Sequence, residues 1–495
     1  MNQPIRRVAL FCFLLITSLL VASNYLQVVN ADSYKARPAN MRTTYDVYAY
    51  PRGKIITADG TVIADSKPSG GITLKYQRTY PLKSDYGNIT GYRSPSYGAT
   101  DIEFILNKYL QGTDSSESVA NFMDTLTGKA KKGGDVQLTL QNSVQQAAIA
   151  GLKGKQGSVV ALDPTTGAIL AMYSSPSFDP NGISSNDGDI AKAAGKALEA
   201  DKAKPHLNHA IQELYPPGSV FKVITAAAAL DTGKFTENDP TGANAHQFPA
   251  NSTGGYTLIN EDKSDCPGTD LKSALAASCN SVYGYVGAQL GAPTIADYAT
   301  RFGFSNPGLK IPQSVVPSTF PSPDKLSSSP LGLAQASVGQ GDTQLTPLQA
   351  AMIAAAVANG GAIMQPYMVE KETAPNGHVT YQGKDHQHVF SQAVSPQTAA
   401  VLDDMMQNVV ANGTASGLGI EGAKVGAKTG TAQRGAGQNP LAWYISYASL
   451  NGKSVAVAVM VQTDNPNLRD SISGHDYAGP VAKAVEEAAL GVGKH

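Results

Sequence analysis

At 495 residues the chain is too long for one ordinary domain, so two or three are expected. Its 42% hydrophobic and 16% charged content fits a folded globular protein and excludes a disordered one. The formal net charge of −1 argues against a nucleic-acid partner, which would require a strongly basic balance.

Arg6 and Arg7 precede an apolar run, Val8–Ala22, that continues less cleanly to Val29. Fifteen helical residues reach about 22 Å, short of a ~30 Å hydrocarbon core, whereas extension to Val29 spans it. The segment is expected to be a single membrane helix with its arginines inside and the rest of the chain exported. The alternative is a cleaved export signal ending near Val29-Asn30-Ala31.

Residues 31–152 read as one unit of short strands and turns, separate from an anchor at 1–30 and a larger unit at 153–495. Tyr50–Ile63 alternates and turns at Asp59-Gly60, as a hairpin does. A short helix is expected at Asp101–Leu110, a polar loop at Asp114–Ser118 and a charged break at Lys129–Gly134. A strand at Asp135–Leu140 then leads into a helix at Gln141–Leu152. From Gly157 the texture changes. Ser158–Leu162 and Ala168–Met172 flank the turn Asp163–Gly167, and Ala-rich helices follow at Val220–Leu230 and Pro347–Asn359. The strands Ala442–Leu450 and Val455–Val461 and a helix near Pro480–Leu490 close the chain. Such an order predicts an α/β layer fold with a helical subdomain.

Three short patterns carry chemistry. Ser219-Val220-Phe221-Lys222 follows Pro216-Pro217-Gly218 and opens a helix that is apolar nearly all round, hence buried. A lysine one turn beyond a serine in such a setting is desolvated, its pKa falls, and it can take the hydroxyl proton. Alone, the pattern also fits an N-cap serine with a lysine reaching water. A second match, Ser322-Pro323-Asp324-Lys325, sits in a Pro/Ser-rich stretch that reads as a solvated loop. Ser278-Cys279-Asn280 supplies a hydroxyl and an amide that can relay a proton and orient Lys222. Two other SxN matches lie in a polar loop at Ser184 and before the turn Asn451-Gly452. Lys428-Thr429-Gly430-Thr431 is the sole KTG and precedes a strand, so it is expected on a paired strand. There Lys428, Thr429 and Thr431 can hold a carboxylate, Gly430 can admit a substrate backbone, and strand N–H groups can supply an oxyanion hole.

In this order, 59 and 150 residues apart, the three form the signature of the penicillin-binding and serine β-lactamase superfamily. The chain resembles class B penicillin-binding proteins of the PBPA type over nearly its whole length. Arg52–Ile56 with Ala58-Asp59-Gly60, Tyr80-Pro81 with Ile89–Tyr92, and Gly98–Gly112 with Glu103 are similar to the family's N-terminal motifs. Asn208–Ser219, Gly339-Gln340-Gly341 with Leu345–Gln349, and Ala442-Trp443-Tyr444 match stretches of its catalytic unit. The resemblance implies a transpeptidase fold, with an antiparallel sheet flanked by helices, an all-helical subdomain, a smaller β-rich N-terminal pedestal and one transmembrane helix. It makes Ser219 the acylated nucleophile and Lys222 its base. Ser278 and Asn280 assist proton transfer, and Lys428, Thr429, Gly430 and Thr431 bind the substrate carboxylate and oxyanion region. The implied reaction is D,D-transpeptidation of peptidoglycan stem peptides on the outer face of the cell membrane, with β-lactams as covalent inhibitors. A SEDS-type membrane glycosyltransferase is the implied partner, because the segment before the catalytic unit is too short for a glycosyltransferase domain.

No cofactor is expected. Absence of CxxC argues against structural zinc. The exported pair Cys266 and Cys279 is instead expected to form a disulfide pinning the Ser278 loop, with two buried thiols as the alternative. No Glu occurs between Asn280 and Glu370, which removes the water-activating carboxylate of a class A β-lactamase. A D,D-carboxypeptidase or endopeptidase stays open, since the motifs do not choose between water and amine. A silent scaffold or β-lactam sensor is disfavoured by the intact triple and the single span. GxSxG, HExxH and Walker sequences are absent, and the eight histidines avoid all three motifs, His206 and His209 lying nearest.

Overall fold

The computed structural model describes residues 3–30, 47–113, 132–249, 257–261, 263–435, 437–469 and 471–492. The loop expected at Asp114–Ser118, the start of the break at Lys129 and Ala31 of the alternative cleavage site lie outside them. The N-terminal segment is an α-helix over Gln3–Asn24 that runs on through a π-helical turn at Tyr25–Val29, with no part of it buried. Its 27 residues span about 40 Å, enough to cross a bilayer with tilt. One such helix near the N-terminus fits an anchor or an export signal.

A six-stranded sheet forms the N-terminal unit. Ile55–Ile56 pairs antiparallel with Val62–Pro68 around the expected Asp59-Gly60 turn, where Gly60 takes φ +83°, and pairs parallel with Asp135–Leu138. Tyr76–Thr79 closes one side. The other side is completed from far along the chain, by the hairpin Val369–Thr373 and Val379–Gln382. The two units therefore share chain on both sides of residue 152. Beneath this sheet Glu103 is fully buried between two arginines. Its carboxylate accepts from Arg52 Nε and Arg78 Nε, both at 2.6 Å.

The catalytic-unit sheet has five antiparallel strands in the order Lys424–Ala432, Leu441–Leu450, Lys453–Gln462, Gln156–Leu162, Ile169–Ser175. The three inner strands are buried almost throughout, because helices cover both faces. That is why they read as continuous apolar runs. Helices Asn142–Gly151 and Gly479–Leu490 pack on each other and on the sheet, and Pro347–Ala358, with all but its last residue buried, packs across the central strands. Lys222–Asp231, Asn280–Leu290, Ala292–Arg301 and Pro396–Asn412 make the helical subdomain.

One buried acid works against this packing. Glu486, on the helix Gly479–Leu490, is 1% exposed beside Ser446, and burial raises its pKa to about 8. The folded chain thus holds that proton more tightly than the unfolded one. The stability this gives is present below the unfolded value near 4.5 and is lost as pH rises towards 8. Glu486→Gln is expected to raise Tm, by little at pH 5 and by the equivalent of about 3 kcal/mol near pH 7, read by thermal unfolding across pH.

Candidate active site

Ser219 is positioned by a tight turn clamped on three sides. Gly218 takes φ +55°, its N–H donates to Gly339 O at 2.8 Å, and an added Cβ would lie 2.8 Å from Thr431 O. A Cβ on Gly339 would in turn collide with Gly218 O at 2.1 Å. Trp443 Nε1 donates to Pro216 O at 3.0 Å, and the Trp443 ring meets Tyr215 edge-on. These contacts explain the placement of Gly339-Gln340-Gly341 and of the only tryptophan.

Ser219 is not at the start of the α-helix, as the sequence suggested. It lies in a 3₁₀ turn, Gly218–Phe221, and the α-helix begins at Lys222. The difference matters chemically, because a 3₁₀ turn eclipses residues i and i+3. Lys222 Nζ is accordingly stacked 3.0 Å from Ser219 Oγ. Lys222 has no exposed surface, and eight successive residues from it to Ala229 are buried. Burial, and then the nearby Lys428, hold its pKa well below 10.5, which makes its amine easier to deprotonate than that of a free lysine and suits it to act as a base.

Ser278 meets this amine from the helical subdomain. It joins helices Leu271–Ala276 and Asn280–Leu290 in the left-handed region, φ +59°. That conformation costs a non-glycine residue about 1–3 kcal/mol. It turns both the carbonyl and the hydroxyl towards Lys222 Nζ, at 2.5 and 3.3 Å. Lys428 Nζ donates to the same hydroxyl at 2.8 Å and to Thr429 O at 2.8 Å. Three distant stretches of chain thus converge on one serine hydroxyl. Lys428 is fully buried, and desolvation lowers its pKa to about 7. Cys266 and Cys279 are joined, with Cα atoms 5.9 Å apart, and tie the Ser278 loop to the 257–266 segment. Asn260 fastens the same junction by accepting from Asn280 N and Ser281 N at 2.9 and 3.1 Å.

The Lys424–Ala432 strand is an edge strand, paired along one side only. Beside it lies a cavity of about 360 Å³ lined by Ser278, Thr414, Thr429, Thr431 and His475. A second, of about 300 Å³, is lined by Ser219, Asn280, Gln335, Gln340 and Thr431. Thr431, Asn260 and Glu261 belong to both, so the two are lobes of one cleft.

A buried lysine against a cleft serine, with a hydroxyl bridging it to a strand lysine, is the equipment of serine acyl transfer. A family model described as the penicillin binding protein transpeptidase domain matches residues 157–487, and one described as the penicillin binding protein A dimerisation domain matches 52–136. The chain is a penicillin-binding transpeptidase of the PBPA type. It is 38% identical to the peptidoglycan D,D-transpeptidase PbpA of Mycolicibacterium smegmatis, over 99% of each chain. Its structure superposes on penicillin-binding protein A of M. tuberculosis solved as a ceftriaxone acyl-enzyme, with a TM-score of 0.83 and 35% identity, covering 90% of this chain and all of that one. The penicillin G acyl-enzyme of the same protein gives 0.81 and 35%, over 89% of this chain.

In this penicillin-binding protein two motif residues sit differently from expectation. Asn280 makes no hydrogen bond to Lys222, whose amine meets Ser219 and Ser278. Its amide donates to Ile259 O at 2.9 Å and its side chain lines the Ser219 lobe, because the helix begins at that residue and turns it away from Ser278. Orientation of Lys222 comes instead from Ser278. The space that a Gly430 side chain would need is filled by Val220, Trp443 and Pro217, so the missing side chain admits the Ser219 turn, while the residue itself also lines the KTG lobe. The other SxxK is an ordinary cap: Ser322 Oγ accepts from Lys325 N, and Lys325 pairs with Asp342 in solvent.

The structure also adds residues that no motif flagged. His475 lines the KTG lobe, although the histidines seemed remote from the motifs. Both its ring nitrogens face acceptors, Asp476 Oδ1 at 2.8 Å and Ser416 O at 3.0 Å, and these raise its pKa. Thr414 bonds Thr429 across the same lobe at 2.6 Å. The signal for His475 was Gly474 before it, whose absent side chain lets the loop close on Gly430 and Trp443.

Proposed function

We propose that the chain cross-links peptidoglycan stem peptides as a D,D-transpeptidase held to the outer face of the membrane by its uncleaved N-terminal helix. In this reading 1–30 is the anchor, 31–152 the pedestal and 153–495 the catalytic unit. The observation that carries it is the fully buried Lys222 amine 3.0 Å from Ser219 Oγ. Lys222 takes the Ser219 proton as Oγ attacks the penultimate carbonyl of a D-Ala-D-Ala donor. The proton then passes through the Ser278 hydroxyl to the departing D-Ala nitrogen, and the acyl group stays on Ser219. Lys428, Thr429 and Thr431 hold the donor carboxylate, and N–H groups on the open strand edge stabilise the oxyanion. A stem-peptide amine then takes the acyl group. β-Lactams enter the same path and stop at the ester. Glycan strands come from a SEDS-type glycosyltransferase alongside the anchor.

Mass mapping of the full chain after benzylpenicillin treatment tests the site. The adduct is expected on the peptide containing Ser219, and an adduct elsewhere overturns the assignment. Incubation with stem-peptide donor and acceptor is expected to yield dimers, not only trimmed donor.

A further inference from the structure

Transpeptidation needs two peptides of opposite character at one cleft. The donor presents a carboxylate; the acceptor presents an amine, which reaches the enzyme mainly as an ammonium. In the proposed reaction the carboxylate is held by Lys428, which lies behind the lobe and donates to the Ser278 hydroxyl lining it, and His475 lines the same lobe. The ammonium needs an anionic anchor. Among the described residues lining either lobe, Glu261 is the only acid, and it lines both. It is solvent-exposed, so it is free to meet a ligand. Its charge also acts on both Lys222 and Lys428, raising the affinity of each for a proton, so it lies within electrostatic reach of the reacting centre. It sits in the segment fastened to the Ser278 loop through Asn260 and the disulfide, which fixes it relative to the nucleophile.

We propose that Glu261 is the acceptor-specificity residue, its carboxylate holding the ammonium of the incoming stem peptide where the two lobes meet. The inference rests on the transpeptidase reading and deepens it by naming what selects amine over water. The bound ammonium releases one proton to solvent, and the neutral nitrogen attacks the Ser219 ester carbonyl. A C–N bond forms as the C–Oγ bond breaks. The second nitrogen proton moves to Lys222 Nζ and from there to Ser219 Oγ, regenerating the enzyme.

The test reads how one acyl-enzyme divides between amine and water, a ratio from which the acylation rate cancels. A D,D-peptide thioester serves as donor. A lysine-containing tripeptide is the cationic acceptor and hydroxylamine, uncharged at neutral pH, is the control nucleophile. Glu261→Gln is expected to lower the aminolysis-to-hydrolysis ratio about tenfold for the tripeptide and to leave that for hydroxylamine within about twofold, as loss of one charge contact implies. Glu261→Asp should recover part of the loss and Glu261→Lys deepen it. An unchanged tripeptide ratio overturns the proposal, and so does an equal fall for both nucleophiles, which would mean that Glu261 only tunes the lysines. If the underlying reading fails, the parent forms no Ser219 adduct with the thioester before any amine is added, and the proposal falls with it.

Discussion

Ser219→Ala is expected to take up no covalent penicillin. Lys222→Met is expected to be acylated at least a hundredfold more slowly than the parent, within the range usual for a general base. Both should fold. The reason lies in what burial does to the lysine. In the unfolded chain Lys222 is protonated below about pH 10.5, while in the folded chain burial and then Lys428 disfavour its charged form. A base whose pKa is depressed by folding gives stability above its unfolded value and loses it as pH falls. At neutral pH Lys222 is therefore a cost to the fold, and the Met variant should melt at or above the parent's temperature. Loss of acylation without loss of Tm, measured on the same preparation with a fluorescent penicillin, separates chemistry from folding. A Met variant that labels at the parent's rate would remove Lys222 from the mechanism.

The same pair sets a pH profile. Acylation kcat/KM requires Lys222 to give up its proton, which burial and Lys428 make easier than in a free lysine. It falls as Lys428, with a pKa of about 7, gives up the charge proposed to hold the donor carboxylate. Glu261 opposes both losses and His475 adds charge on the acid side. The descending limb near pH 7 is thus expected to belong to Lys428, and it should be absent from kcat, where a bound carboxylate keeps that ammonium charged.

The parts of this machine legible in the sequence were those with local causes. The hairpins at 55–68 and 156–175 announced themselves by alternation and by turn residues, and the three motifs by type, order and context. What was not legible depends on tertiary structure. Nothing near 369–382 says that this hairpin completes a sheet begun some 300 residues earlier. The 3₁₀ turn at Ser219 is imposed by Gly339 and the KTG strand, neither adjacent in sequence. The SxN spacing suggested that Ser278 and Asn280 act on one target. A left-handed serine followed by a helix start sends their side chains to different partners. His475 and Glu261 belong to no motif and reach the cleft only because their loops close on Gly430 and on the Ser278 junction.

The second large effect concerns stability and falls in the pedestal. Glu103→Gln is expected to destabilise the folded chain by about 3–5 kcal/mol, the usual consequence of orphaning a buried charge. Glu103 accepts from Arg52 and Arg78 at 2.6 Å each, while Arg52 also reaches Glu103 O and Asn107, Arg78 reaches Gly53 O, and Tyr80 bonds the carboxylate at 3.3 Å. The cluster is not a large net stabiliser. Burial works against every member, and it draws Arg52 down to about 10 despite the adjacent carboxylate. Its importance is that two guanidiniums with almost no exposure share one counter-charge. Neutralising that charge leaves both cations in the protein interior, facing each other. Burial alone would raise the Glu103 pKa, but the two arginines outweigh it and hold the group below 4.5. The stability it contributes is therefore present above the unfolded value and is lost as pH falls through the folded one. The parent's Tm should drop as pH falls below 4.5, whereas that of Glu103→Gln should start lower at pH 7 and change less over the same acid range. Hydrogen exchange should show the loss first in the strands at 55–56, 62–68 and 76–79, which the two arginines tie to the 101–110 helices. If Glu103→Gln melts like the parent at pH 7, the arginines must find other counter-charges, and the pedestal is held together by its apolar contacts alone.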